Sequence, residues 1–114
     1  MQLWVDVTPK PKIHVYAQGA KGFTPVALVV SKIAGVTAGK PKYPPSERFA
    51  SPGTDGPVPV YAKPFRIVQP IAVGRKTRSG QVLNIAGTLT YESCDDRICY
   101  PAASIPVVWT VKVR

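Results

Sequence analysis

Proline limits this chain more than any other residue. Thirteen prolines run from Pro9 to Pro106, and each one inside a helix would delete a hydrogen bond and press its ring on the preceding turn. That excludes a mainly helical protein and leaves short extended segments broken by turns. The spacing of apolar residues agrees. Between Leu83 and Tyr91, the residues Leu83, Ile85, Gly87, Leu89 and Tyr91 share one face, with Asn84, Ala86, Thr88 and Thr90 on the other. Between Val107 and Val113, the residues Val107, Trp109, Val111 and Val113 lie opposite Val108, Thr110 and Lys112, which makes Trp109 a core residue. A period of two with one apolar face predicts sheets packed on one side. Lys12 to Tyr16 alternates as well, and puts His14 and Tyr16 on a polar face away from Ile13 and Val15. Thr24 to Ser31 is a continuous apolar run and reads as a buried strand. Phe65 to Val73 is rich in strand formers but carries Pro70, which predicts an edge or bulged strand. About seven short strands in a single domain spanning 1–114 predict an all-β fold, an immunoglobulin-like antiparallel sandwich.

A hydrophobic fraction of 45% against 18% charged residues is enough for a core that needs no covalent support. The longest apolar run, "PVALVV" at 25–30, is far short of the roughly 20 residues that span a bilayer, so no membrane insertion is expected of this segment. "MQLWVDV" lacks the basic start and apolar stretch of a secretory leader; if the protein is exported, its leader lies outside this sequence. The net charge of +9 clusters only at "RKTR", residues 75–78. No nucleic-acid-binding motif accompanies it, so the charge reads either as a solvated surface or as a field that steers an acidic protein partner, not nucleic acid.

Residues 39–57, "GKPKYPPSERFASPGTDGP", read as one long loop, because eight of the nineteen are Pro or Gly. Loops of that length are lids, binding loops, disordered linkers or self-packed surface loops. Tyr43 and Phe49 inside it are apolar side chains that need a resting place, while Glu47 and Arg48 either orient the loop or are simply solvated.

Both cysteines fall within "GTLTYESCDDRICYPA", residues 87–102. Cys94 follows one strand and Cys99 precedes the next, so the two strands form an antiparallel pair with residues 95–98 near its turn. A disulfide is feasible there. As a staple it adds little, because closing a loop of about six residues removes only roughly 2 kcal/mol of chain entropy. A zinc site would need four ligands, and besides two cysteines the chain offers a single histidine, His14. There is no C-x-x-C at a helix start. What remains is a redox pair on a hairpin, in which Asp95 and Asp96 disfavour a thiolate and so suit a carrier that waits for a reactive partner. The competing reading is a secreted immunoglobulin-like binding module with a structural disulfide.

"GTLTYESCDDRICYPAASIPVVWTV" resembles the amino-terminal domain of the bacterial transmembrane thiol:disulfide interchange protein DsbD. The motif residues are Tyr91, Cys94, Cys99, Tyr100 and Pro101; "KIHVYAQGAKGFTPVALVV", "YPPSERF" and "VPVYAKPFRIVQPIAV" are similar in character to earlier parts of that domain, which extends the likeness over about residues 10–113. The resemblance implies a periplasmic thiol-disulfide exchange domain that needs no cofactor. It would take two electrons from a thioredoxin-like donor domain and pass them to oxidised periplasmic proteins of the disulfide isomerase or cytochrome c maturation type. It further implies that Cys99 forms the mixed disulfide and Cys94 resolves it. Phe49, or else Tyr43, would cap the pair, and His14 and Tyr16 would stand beside it. No membrane segment or thioredoxin-like domain is present in these residues, and the family motif does not account for the basic charge.

Overall fold

The computed structural model describes residues 1–50, 56–74, 78–95 and 97–113. Every regular element among them is a strand: β1 (Gln2–Val7), β2 (His14–Tyr16), β3 (Ala27–Val30), β4 (Val36–Ala38), β5 (Glu47–Ala50), β6 (Pro57–Tyr61), β7 (Phe65–Val73), β8 (Val82–Tyr91), β9 (Ser93–Cys94) and β10 (Ala103–Lys112). All pairings are antiparallel, in three sheets ordered β1-β7-β4, β10-β8-β3 and β5-β6-β2-β9. The first two close on one another as an immunoglobulin-like β-sandwich. Leu3 and Ile71 from one sheet meet Leu83 and Ile85 from the other, and a second cluster gathers Val15, Val26, Leu28, Tyr61, Ile67 and Leu89.

The alternation in β8 is realised from Val82 to Leu89, with Leu83, Ile85, Gly87 and Leu89 buried between exposed neighbours, and it fades at Thr90 and Tyr91, which are both half-buried. β10 begins four residues before the expected start, at Ala103, and pairs along its whole length with β8. Gly87 is required where it stands: a Cβ there would lie 2.9 Å from the Val29 carbonyl and 3.1 Å from the Trp109 ring. Trp109 fills that space half-buried and donates its indole N–H to the Trp4 carbonyl at 3.0 Å, tying β10 to β1.

Four expectations are corrected. β7 is central, between β1 and β4, not an edge strand. Pro70 is tolerated because its missing donor faces Gly39, whose carbonyl is served instead by the Gln69 side-chain amide at 2.8 Å; the same amide also bonds the Pro70 carbonyl at 2.9 Å. This explains a glutamine that is only 1% exposed. The run from Thr24 yields only the four residues of β3, and Val29 in it is 63% exposed. Residues 39–57 are not one structureless loop: Lys42 bridges to Val68, and β5 pairs with β6 as the arm of a hairpin. Residues 51–55 of that stretch lie outside the described residues, as do 75–77 of the basic cluster and Asp96. Finally, His14 and Tyr16 do not face solvent. β2 is covered on both faces, and its polar-looking side is sealed by a third cluster of Tyr16, Ala20, Val58, Val60 and Cys94.

Candidate functional site

The third cluster contains the cysteines. β8 ends at Tyr91, and its continuation β9 leaves the β8–β10 pairing to join β2, with His14 opposite Cys94 and Val15 opposite Ser93. The chain then turns and bridges back, Cys99 against Cys94. Asp95 N–H donates to the Ile98 carbonyl and Tyr100 N–H to the Ser93 carbonyl, both at 2.9 Å. Cys94 and Cys99 therefore occupy the position between two hydrogen-bonded pairs, where facing side chains come closest. Their Cα atoms are 4.0 Å apart and a disulfide joins them.

The turn is held by Asp95, whose Oδ1 accepts from the backbone N–H of Arg97 and of Ile98, each at 2.7 Å. Those two bonds, that of Ile98 foremost, lower the Asp95 pKa below the ordinary aspartate value. Its other oxygen accepts from the Tyr100 hydroxyl at 3.2 Å, which raises the phenol's pKa. Asp95 thus serves first as the clasp of the hairpin.

The two sulfurs sit in different surroundings. Cys94 is 0% exposed, whereas Cys99 is open to solvent. The Tyr16 hydroxyl donates to Cys94 Sγ at 3.0 Å and lies 3.9 Å from Cys99 Sγ and 3.4 Å from His14 Nε2. The Tyr16 ring stacks on Phe23 with centroids 3.8 Å apart. Phe49, on β5, leans on His14 at 4.2 Å and packs against the cluster that holds Cys94. His14 is buried to 3% exposure, and loss of water lowers its pKa against the opposing pull of Asp95. The imidazole is therefore biased towards the neutral form.

Of the residues singled out in the sequence, Cys94, Cys99, His14, Tyr16, Phe49, Asp95 and Tyr100 converge here. Tyr91 lies one step back along the hairpin, half-buried against the central core. Tyr43 is elsewhere: it packs on the central cluster, and its hydroxyl accepts from Leu28 N–H at 3.0 Å. Phe23 belongs to the site and was not anticipated. Its signal was an aromatic set in a turn, "AKGFTP", with Gly22 at a φ of 82°.

An antiparallel sandwich that carries a half-exposed disulfide on the turn of its last hairpin defines the class: a β-sandwich thiol-disulfide module. The family model described as the N-terminal domain of the thiol:disulfide interchange protein DsbD matches residues 1–106. The chain belongs to that family, and it is a thiol-disulfide exchange domain of a kind that is periplasmic in general. Among solved structures it is similar to the reduced N-terminal domain of Neisseria meningitidis DsbD, with a TM-score of 0.65 and 16% identity, over 96% of this chain and 76% of that one. At that identity the likeness concerns the fold. No curated protein sequence matches the chain.

Proposed function

We propose that the domain works as a thiol-disulfide oxidoreductase in the periplasm, relaying two electrons through Cys94 and Cys99. It would take them from a thioredoxin-like donor and hand them to oxidised proteins of the disulfide isomerase or cytochrome c maturation type. A donor thiolate attacks Cys99 Sγ; the donor–Cys99 bond forms as the Cys99–Cys94 bond breaks, and Cys94 leaves with the electron pair and takes up a proton. The donor's second thiolate then displaces Cys99, so the donor leaves as a disulfide and the domain as a dithiol. Delivery runs the same steps in reverse: Cys99 attacks the acceptor's disulfide, and Cys94 resolves the mixed species.

One observation carries the assignment of roles. Cys99 is exposed, while Cys94 is enclosed and receives the Tyr16 O–H at 3.0 Å. A hydrogen bond to sulfur stabilises the thiolate that leaves far more than the neutral disulfide it replaces. Phe49, resting on His14, supports a further role as the cover that a docking partner lifts.

The test uses the two single-cysteine variants and oxidised glutathione. Cys94→Ser, which leaves Cys99, is expected to form a mixed disulfide at least about tenfold faster than Cys99→Ser, since the thiol must be accessible to react. Equal rates would overturn the assignment, and an inert Cys94→Ser variant would favour a structural disulfide in a binding module.

A further inference from the structure

The hairpin that carries the disulfide has two faces, and the cysteines occupy only one of them. Cys94 and Cys99 point towards Tyr16. Their chain neighbours Ser93 and Tyr100 alternate to the opposite face, and there a cavity of about 480 Å³ opens. Its floor is core: Val15, Val26 and Leu89. Tyr91, Tyr100 and Ile105 form the wall on the hairpin side, and Thr8 and Lys10 stand at the rim, Lys10 being the single charged residue among the described residues that line it.

An apolar strip leads into this cavity. Ile98 is 56% exposed, Tyr100 41% and Ile105 43%, and all three belong to the hairpin that holds the cysteines. Ile98 and Tyr100 flank Cys99 directly in the chain. Large apolar side chains left in water side by side mark a surface that is covered in use.

The position says what covers it. In a mixed disulfide the partner's cysteine Cα must come within about 6.8 Å of the Cys99 Cα, and each further residue of an extended segment advances about 3.3 Å. Side chains two to four residues from the partner's cysteine are thereby brought to the edge of the hairpin, over Tyr100 and into reach of the cavity. Lys10 then favours a carboxylate just beyond.

We infer that this groove is a docking subsite for the segment flanking a partner's reactive cysteine, holding one apolar side chain two to four residues from that cysteine and a carboxylate next to Lys10. The inference rests on the exchange reading above and adds to it a basis for choosing partners: the disulfide supplies the chemistry, and the groove supplies the discrimination.

The test is reduction of the oxidised wild-type chain by short cysteine peptides with glutamate at the far end. Leucine is placed two, three or four residues from the cysteine, and each peptide is matched by its alanine counterpart. A first peptide thiolate forms a bond to Cys99 as Cys94 leaves with the electron pair and is protonated. A second attacks the peptide sulfur and releases Cys99, so two peptide thiols become one peptide disulfide. At least one leucine position should react roughly tenfold faster than its alanine match, the discrimination that a methylene or two in an apolar pocket supplies. Thr8→Trp, which fills the mouth, and Ile105→Lys, which breaks the strip, are both surface changes and should bring that ratio towards one. Ratios near one at every position in the wild type, or a preference that survives both variants, overturn the groove while leaving exchange intact. If neither the peptides nor dithiothreitol opens the disulfide, the exchange reading fails, and the groove falls with it.

Discussion

The Tyr16 phenol touches the enclosed sulfur and the His14 imidazole lies 3.4 Å from that phenol's hydroxyl, and each has a separable consequence. Tyr16 stacks on Phe23 through its ring and touches Cys94 through its hydroxyl. Tyr16→Phe keeps the first contact and deletes the second. Attack of dithiothreitol on the disulfide should then slow about tenfold, the worth of one hydrogen bond to a developing charge, while the circular dichroism spectrum stays the same. An unchanged rate would remove Tyr16 from the chemistry. His14 affects stability. Burial lowers its folded pKa, so below about pH 6.5 the unfolded chain holds a proton that the folded chain resists. Stability should therefore fall as the pH drops through that value towards the folded pKa. It is the only histidine of the sequence; His14→Phe should make the denaturant midpoints at about pH 7.5 and about pH 5 more alike than in the wild type. A pH dependence that persists in full would assign the effect to other groups.

Strands differ in how much of themselves they announce. β8 and β10 were legible because each turns one face only inward, buried in β8 and half-buried in β10, so a period of two appears directly in the residue types. β2 was not, because both its faces are covered: Val15 enters the central core, while His14 and Tyr16 are buried under the third cluster. Two residues with polar atoms on one face look solvent-facing until the sulfur and rings that enclose them are known. β7 misled for a different reason. Pro70 forbids a backbone bond, but nothing local reveals that the Gln69 amide, folded onto the Gly39 carbonyl, supplies it. Gln69→Leu should cost about 1–3 kcal/mol in denaturant unfolding, the penalty of an orphaned buried carbonyl; a cost near zero would mean that another donor takes over. Gly87→Ala forces a Cβ against backbone on one side and an indole on the other. It should destabilise by about 1–3 kcal/mol, and a neutral effect would show that Trp109 can swing away.

Taken whole, the molecule is long and thin, 52 Å by 20 Å by 19 Å, and its clusters follow one another along β8 and its continuation. Leu83 and Ile85 lie in the first, Leu89 in the second and Cys94 in the third. The cysteines therefore occupy the end of the sequence of clusters, where a partner can reach them without disturbing the sandwich. Motif and fold were readable in the final third of the chain, since the strand–Cys–turn–Cys–strand order is local. The enclosure of Cys94 was not readable from the residue pattern, because it is assembled by Tyr16, 78 positions away in sequence, and by Phe49 on another hairpin; only the family resemblance implied that those side chains stand beside the pair. As proposed, this disulfide is opened and closed in use and is not a permanent staple. Its reduction potential, measured by equilibrating the oxidised chain in thiol redox buffers, tests that most directly. A value clearly above about −300 mV is expected, within the range of proteins that exchange disulfides, and a value below that limit would make the bond structural and overturn the exchange reading.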